Sequence, residues 1–124
     1  MMDTMSEETS NIGEKKWVPT LPCADIPPQE GRSFRSGDLE LGIFNLGDRF
    51  VAIDNACPHM GEPLSEGFLM GSIIVCPLHA WKFSLDTGRI TCPADFDACV
   101  GTYRTRLEEG VVQVELPAVN EVKS

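Results

Sequence analysis

The sequence predicts an all-β protein, and three observations carry that prediction. Apolar residues alternate at period two in residues 39–46 and again in 111–116. Eleven glycines and nine prolines cut the chain into short pieces. No stretch of ten or more residues sustains a helical apolar stripe. Taken in order, residues 17–21 read as extended, and Pro19 and Pro22 confine them to a sheet edge, because proline donates no ladder hydrogen bond. Residues 39–46 run to Gly47-Asp48, and residues 49–53 follow with Phe50, Val51 and Ile53. A two-residue connection of this type between such runs signals a hairpin. Residues 68–70, 72–76 and 81–85 read as further strands, and Asp86-Thr87-Gly88-Arg89 turns into Ile90-Thr91. The chain closes with residues 102–107, a Glu109-Gly110 turn and residues 111–116. Short strands in this number stack into a small sandwich or barrel.

At 124 residues the chain is long enough for one domain and a thin core. Residues 1–14, with four acidic side chains, read as a solvated tail, residues 15–118 as the domain, and residues 119–124 as a short C-terminal tail. Nineteen acidic against ten basic residues give a net charge of −9. That balance opposes binding to nucleic acid or to an anionic membrane surface and favours a protein partner with a basic docking patch. The opening residues lack the cationic start and apolar run of a signal peptide. Runs such as Ile73-Ile74-Val75 are far shorter than a membrane span of ~20 residues. A cytoplasmic protein is expected.

The chemistry is concentrated in Cys57-Pro58-His59 and Cys76-Pro77-Leu78-His79, which hold both histidines of the chain. Five cysteines, an odd number, do not make a fully paired disulfide framework, so intracellular cysteines near histidines are first tested as metal ligands. Each loop offers one thiolate and one imidazole, enough for a tetrahedral site or a binuclear cluster. The side chains of Cys57 and His59 are too close along the chain to wrap one ion from a rigid strand, whereas a turn can direct them to two adjacent metals. Pro58 and Pro77 fix φ, and Gly61, Gly67 and Gly71 allow tight turning and close approach. Zinc in a Cys2His2 site accepts the same atoms, but zinc fingers usually pair cysteine with cysteine and histidine with histidine.

These loops resemble those of the Rieske proteins. Cys57-Pro58-His59-Met60-Gly61-Glu62-Pro63-Leu64 is similar to the first Rieske loop. Cys76-Pro77-Leu78-His79-Ala80-Trp81-Lys82-Phe83, followed by Thr87-Gly88, is similar to the second. The resemblance implies stacked antiparallel sheets with a two-loop cluster-binding subdomain. It also implies one [2Fe–2S] cluster per chain, with Cys57 and Cys76 on one iron and His59 and His79 on the other. Two ferric ions, two sulfides and two thiolates sum to zero charge, so such a centre accepts an electron more readily than an all-cysteine cluster. Rieske proteins of quinol-oxidising complexes add one cysteine per loop as a disulfide. Glu62 and Leu78 stand at those positions here, which points to the ferredoxin branch, near the lower end of the roughly −150 to +300 mV window.

Asp97-Ala98-Cys99-Val100-Gly101-Thr102-Tyr103-Arg104, running into Leu107-Glu108-Glu109-Gly110, resembles the small subunit of assimilatory NAD(P)H-dependent nitrite reductase. This finer resemblance implies electron passage to or through a large flavin- and sirohaem-bearing subunit. Ferredoxins that serve ring-hydroxylating oxygenases and their reductases share both loops and are the alternative; a structural zinc module is the alternative of another class. Cys23, Cys92 and Cys99 read as small buried residues rather than ligands. Trp81 and Phe83 read as core that shields the second loop, and Met60 and Leu78 as apolar cover or part of a docking patch. Pro93 reads equally as a simple turn or as a third covering loop. With both histidines committed as ligands, no imidazole remains for general-base work, and no phosphate-binding glycine loop is present. The domain alone is expected to move electrons and transform no substrate.

Overall fold

The computed structural model describes residues 15–58, 61–77, 80–93 and 97–117. The two expected tails, and the positions of His59, Met60, Leu78 and His79, lie outside the described residues. Within them the alternating segments become eleven strands: β1 (Lys15–Pro22), β2 (Glu30–Ser36), β3 (Leu39–Asn45), β4 (Phe50–Asp54), β5 (Phe68–Met70), β6 (Ile73–Val75), β7 (Lys82–Ser84), β8 (Ile90–Cys92), β9 (Thr102–Tyr103), β10 (Thr105–Glu108) and β11 (Val111–Pro117). They form three antiparallel sheets with the orders β1-β11-β10, β2-β3-β4-β9 and β5-β6-β7-β8. Single 3-10 turns occupy Cys23–Asp25 and Leu64–Glu66.

The all-β expectation holds, and most strands fall where alternation puts them. Proline does confine β1 to an edge, and its pairing with β11 shifts register between Pro19 and Pro22. The β3–β4 hairpin closes around Gly47-Asp48, where the Leu46 N–H donates to the Arg49 carbonyl at 2.8 Å. Two features differ. Strand β2, Glu-Gly-Arg-Ser-Phe-Arg-Ser, is too polar to read as a strand alone, and it forms because all seven of its residues pair with β3. Residues 102–107 do not make one strand. The chain breaks at Arg104, so that β9 pairs with β4 while β10 crosses to β11.

Strands β3 and β4 are the middle layer, because alternate side chains leave a strand on opposite faces. Leu41, Ile43 and Ala52 pack on one side with Ile26, Val112, Val114 and Leu116. Phe44 and Ile53 pack on the other with Leu64, Ile74, Phe83, Leu85, Val100 and two cysteines, Cys57 and Cys76. Fully burying each large apolar side chain contributes about 1.5–3 kcal/mol, so both packed layers anchor the middle sheet. The β5–β8 sheet therefore rides on the second core and carries the Cys76 loop between β6 and β7, while the Cys57 loop follows β4 of the middle sheet.

At the end of β4 the Asp54 carboxylate fastens the neighbouring chain. Its Oδ1 accepts from the Tyr103 hydroxyl at 2.5 Å and its Oδ2 from the Gly101 N–H at 3.1 Å. The Asp54 N–H in turn donates to the Gly101 carbonyl at 2.9 Å. Burial, then the hydrogen bond to Asp54 and that carboxylate's charge, hold the Tyr103 hydroxyl well above its ordinary pKa of 10.0. Folding thus favours the neutral phenol. Its contribution is fully present below pH about 10 and is lost as pH rises from there toward the folded-state value. Tyr103 is the one tyrosine in the chain. Tyrosinate absorbance should therefore stay absent in the folded protein at pH about 11 and appear on unfolding, with the denaturation midpoint falling above pH about 10. Tyr103→Phe should remove this alkaline component; tyrosinate that appears near pH 10 in the folded protein would contradict the assignment.

Candidate metal centre

Two six-residue loops, starting at Cys57 and at Cys76, share one backbone pattern. In the first, the Gly61 N–H donates to the Cys57 carbonyl at 2.7 Å, and the Cys57 N–H donates to the Glu62 carbonyl at 2.9 Å. In the second, the Ala80 N–H donates to the Cys76 carbonyl at 3.1 Å, and the Cys76 N–H donates to the Trp81 carbonyl at 2.7 Å. The residue four places after each cysteine is left-handed, Gly61 at φ +79° and Ala80 at φ +60°. Each cysteine is followed by proline, which presets φ and has no N–H to satisfy. The result is a pair of matching knuckles nineteen residues apart in sequence. The histidines do not follow the repeat: His59 is the third residue of its loop, while His79 is the fourth.

Both thiols are 1% exposed and lie in the same packed cluster, beside Leu64, Ile74 and Phe83. Trp81 is half-buried against that cluster, its ring centroid 6.5 Å from that of Phe83 at a 40° tilt. Phe83 thus lies in the core as expected, while Trp81 sits just before β7 and packs against that core from its edge. Among the described residues no group of three or more His, Cys, Asp or Glu side chains converges. Half of the expected ligand set, His59 and His79, lies outside those residues.

Sequence reasoning missed the staple beneath the first knuckle. Asn55 is the one buried polar side chain among the described residues, at 1% exposure. Its Nδ2 donates to Glu40 Oε2 at 3.2 Å, its Oδ1 accepts from the Ser65 N–H at 2.7 Å, and its backbone N–H donates to the Glu40 carbonyl at 3.0 Å. Its carbonyl accepts from the Leu64 N–H at 2.7 Å, and Ala56 bridges Pro63. The knuckle is thus held at its base to β3 and to the Leu64–Glu66 turn. An asparagine two residues before a cysteine reads as ordinary loop polarity; nothing in composition marks it as buried.

The remaining cysteines correct one expectation. Cys23 is half-buried, but Cys92 and Cys99 are exposed. Cys92 ends the edge strand β8, and Cys99 sits on an isolated bridge to Arg89, so neither has a layer above it to cover its side chain. Pro93 follows a cis peptide bond after Cys92, and residues 94–96 of that loop lie outside the described set.

A sequence profile described as "Rieske [2Fe-2S] domain" matches residues 16–104, most of the chain. The chain belongs to the Rieske family. Among relatives of this Rieske protein is the 3-phenylpropionate/cinnamic acid dioxygenase ferredoxin subunit of Shigella flexneri serotype 5b (strain 8401), 36% identical over 97 residues that cover 77% of this chain and 90% of the relative. A solved complex of reduced oxygenase and oxidized ferredoxin in carbazole 1,9a-dioxygenase holds a chain with TM-score 0.72 and 31% identity, covering 79% of this chain and 91% of that one. The putative NADH-dependent nitrite reductase small subunit of Mycobacterium tuberculosis has TM-score 0.72 at 24% identity, over 82% of this chain and 95% of that one, a likeness of fold. The family implies a [2Fe–2S] cluster, and two buried thiols at the heads of matched knuckles fit its thiolate side. When bound, that group supplies one-electron chemistry, which makes the Rieske protein an electron carrier. Among its described residues no helix is long and apolar enough to cross a membrane.

Two glycines beside the knuckles have different physical duties, and substitution separates them. A Cβ on Gly61 would meet nothing within 4 Å, so Gly61→Ala adds only the left-handed penalty that Ala80 already bears, about 1–2 kcal/mol. A Cβ on Gly67 would run into the Val75 carbonyl oxygen, the residue before Cys76. Gly67→Ala should therefore push the Leu64–Glu66 turn and the start of β5 off β6, disturb the turn that the first loop is tied to and cut bound iron per chain, whereas Gly61→Ala should keep it. Equal iron content in the two variants would contradict this division of roles.

Proposed function

We propose that this Rieske protein is the ferredoxin component of an aromatic-ring-hydroxylating dioxygenase system, passing electrons to the terminal oxygenase. One observation carries the reading. Relatives above 30% identity that span nearly the whole of their own length are ferredoxin components of dioxygenases. The nitrite-reductase resemblance carried by residues 97–104 is matched at the level of fold alone, so that reading, which the sequence favours first, ranks second.

On this reading Cys57 and Cys76 hold one iron, and His59 and His79 the other. The residues around them do the work of an electron-transfer scaffold. Matched backbone bonds fix where each thiolate points, and the apolar cluster of Leu64, Ile74 and Phe83 excludes water from the sulfur side. The Asn55 attachments hold the base of the first loop, and ladder pairing of β6 with β7 holds both ends of the second, which limits reorganisation when charge changes. The protein works in the cytoplasm, where thiols stay reduced.

The purified protein should contain two irons and two sulfides per chain and no zinc. Cys57→Ser and Cys76→Ser should lose the visible chromophore, while Cys99→Ser, at an exposed position, should keep it. After reduction it should pass electrons to a ring-hydroxylating terminal oxygenase at least about tenfold faster than to a sirohaem nitrite reductase, a barrier difference of about 1.4 kcal/mol. The reverse preference would overturn the reading, and one zinc per chain in place of iron would remove electron transfer altogether.

A further inference from the structure

Two large apolar side chains of the β5–β8 sheet stand open among the described residues. Leu69 points inward to the core around Phe83. Its neighbours Phe68 and Met70 therefore point outward, and they are 69% and 56% exposed. Directly paired residues share a face, so the outward rows run Phe68, Val75, Lys82 and Met70, Ile73, Ser84. Phe68 and Met70 thus form an open apolar patch on β5, flanked on β6 by half-buried Ile73 and by Val75, which is itself buried, with Lys82 and Ser84 on the far side. Among the described residues one other large apolar side chain is exposed, Leu107 on β10 in a different sheet.

The position of the patch matters more than its area. Phe68 pairs with Val75, the residue before Cys76, so the patch stands one strand away from the head of the second knuckle. Gly67, at the head of β5, touches the Val75 carbonyl. A molecule seated on Phe68 would lie beside the loop that carries a buried thiol, and electron tunnelling falls steeply with distance. An exposed phenylalanine and methionine side by side are the composition of an interface centre rather than of a solvated surface. Methionine also adapts its shape, which suits a contact that must form and dissolve at each turnover.

We propose that Phe68 and Met70 form the docking surface for the electron-accepting oxygenase, with Phe68 entering an apolar pocket rimmed by lysine or arginine. Charge selects that occupant. Glu66 is exposed two residues before Phe68, Glu62 is half-buried in the first knuckle, and the chain carries a net charge of −9. Lys82 is the single cation in the outward rows of β5, β6 and β7. Glu66 close to the apolar centre in sequence, on a chain of net charge −9, steers toward a basic partner and against a second copy of this chain. The proposal rests on the oxygenase-ferredoxin reading and assigns it a surface.

The test measures reduction of a purified ring-hydroxylating terminal oxygenase by the cluster-loaded protein, with protein concentration and salt varied. Phe68→Ala should raise KM about tenfold and leave kcat and the visible spectrum unchanged, since a residue this exposed contributes little to the fold. Glu66→Lys should raise KM at low salt, with the difference fading as salt rises. Leu107→Ala is the control for loss of any exposed apolar side chain and should leave KM alone. An unsubstituted protein that reduces the oxygenase, with KM unchanged in Phe68→Ala, would overturn the docking surface alone. An unsubstituted protein that reduces no such oxygenase would overturn both the surface and the functional reading. A dimer seen by sedimentation and dissociated by Phe68→Ala would also overturn the surface, because a second copy would then cover it.

Discussion

A cysteine N–H donating to the carbonyl five residues ahead, and a left-handed residue donating back to the cysteine carbonyl, close each knuckle around a buried sulfur. The rest of the molecule can be understood from what this closure demands. A thiolate sealed from water is costly unless positive charge compensates it, so two such sulfurs in one apolar cluster make sense as ligands to a metal centre. Two separate short loops can hold them only if both loops are rigid and both are fixed to one frame. The frame is the middle sheet: Phe44 and Ile53 pack beneath the loops, while the alternate residues Ile43 and Ala52 tie the same strands to the opposite core.

The end of β4 concentrates these demands in two consecutive residues. Asp54 ties the returning chain at Gly101 and Tyr103, and Asn55 ties the base of the first knuckle to Glu40 and Ser65. Both use side-chain oxygens to satisfy backbone N–H groups that no strand partner reaches. Irregular loops can then sit against a core without leaving polar atoms unsatisfied. The second knuckle needs less of this support because it leaves β6 and returns as β7, so ladder pairing holds both of its ends. It bears its strain at Ala80, where the first knuckle uses glycine.

Alternation and turn chemistry made the hairpins, the edge position of β1 and the all-β class readable, because each depends on local backbone rules. The cysteine loops were readable because spacing and proline placement are written in one dimension. Strand β2 was not, since its polar residues become a strand only through seven pairings with β3. The break at Arg104 was hidden for a similar reason: one continuous run of strand-forming residues serves two sheets. Burial was the least legible property. Asn55 looks like loop and is sealed, whereas Cys92 and Cys99 look like core and are open. Residues 68–70 read as a strand with the right ends, yet three residues cannot say which face meets water, and so the open face of Phe68 emerged only with the pairing of β5 to β6.

In the proposed ligation the two matched knuckles supply sulfur to one iron while the two histidines, offset by one place within the repeat, supply nitrogen to the other. Pulsed EPR on the reduced protein, grown with 15N-labelled histidine in an otherwise natural-abundance background, tests it most directly. This ligation should give couplings from two histidine nitrogens and no others of comparable strength. Coupling from one histidine, or from none, would contradict it.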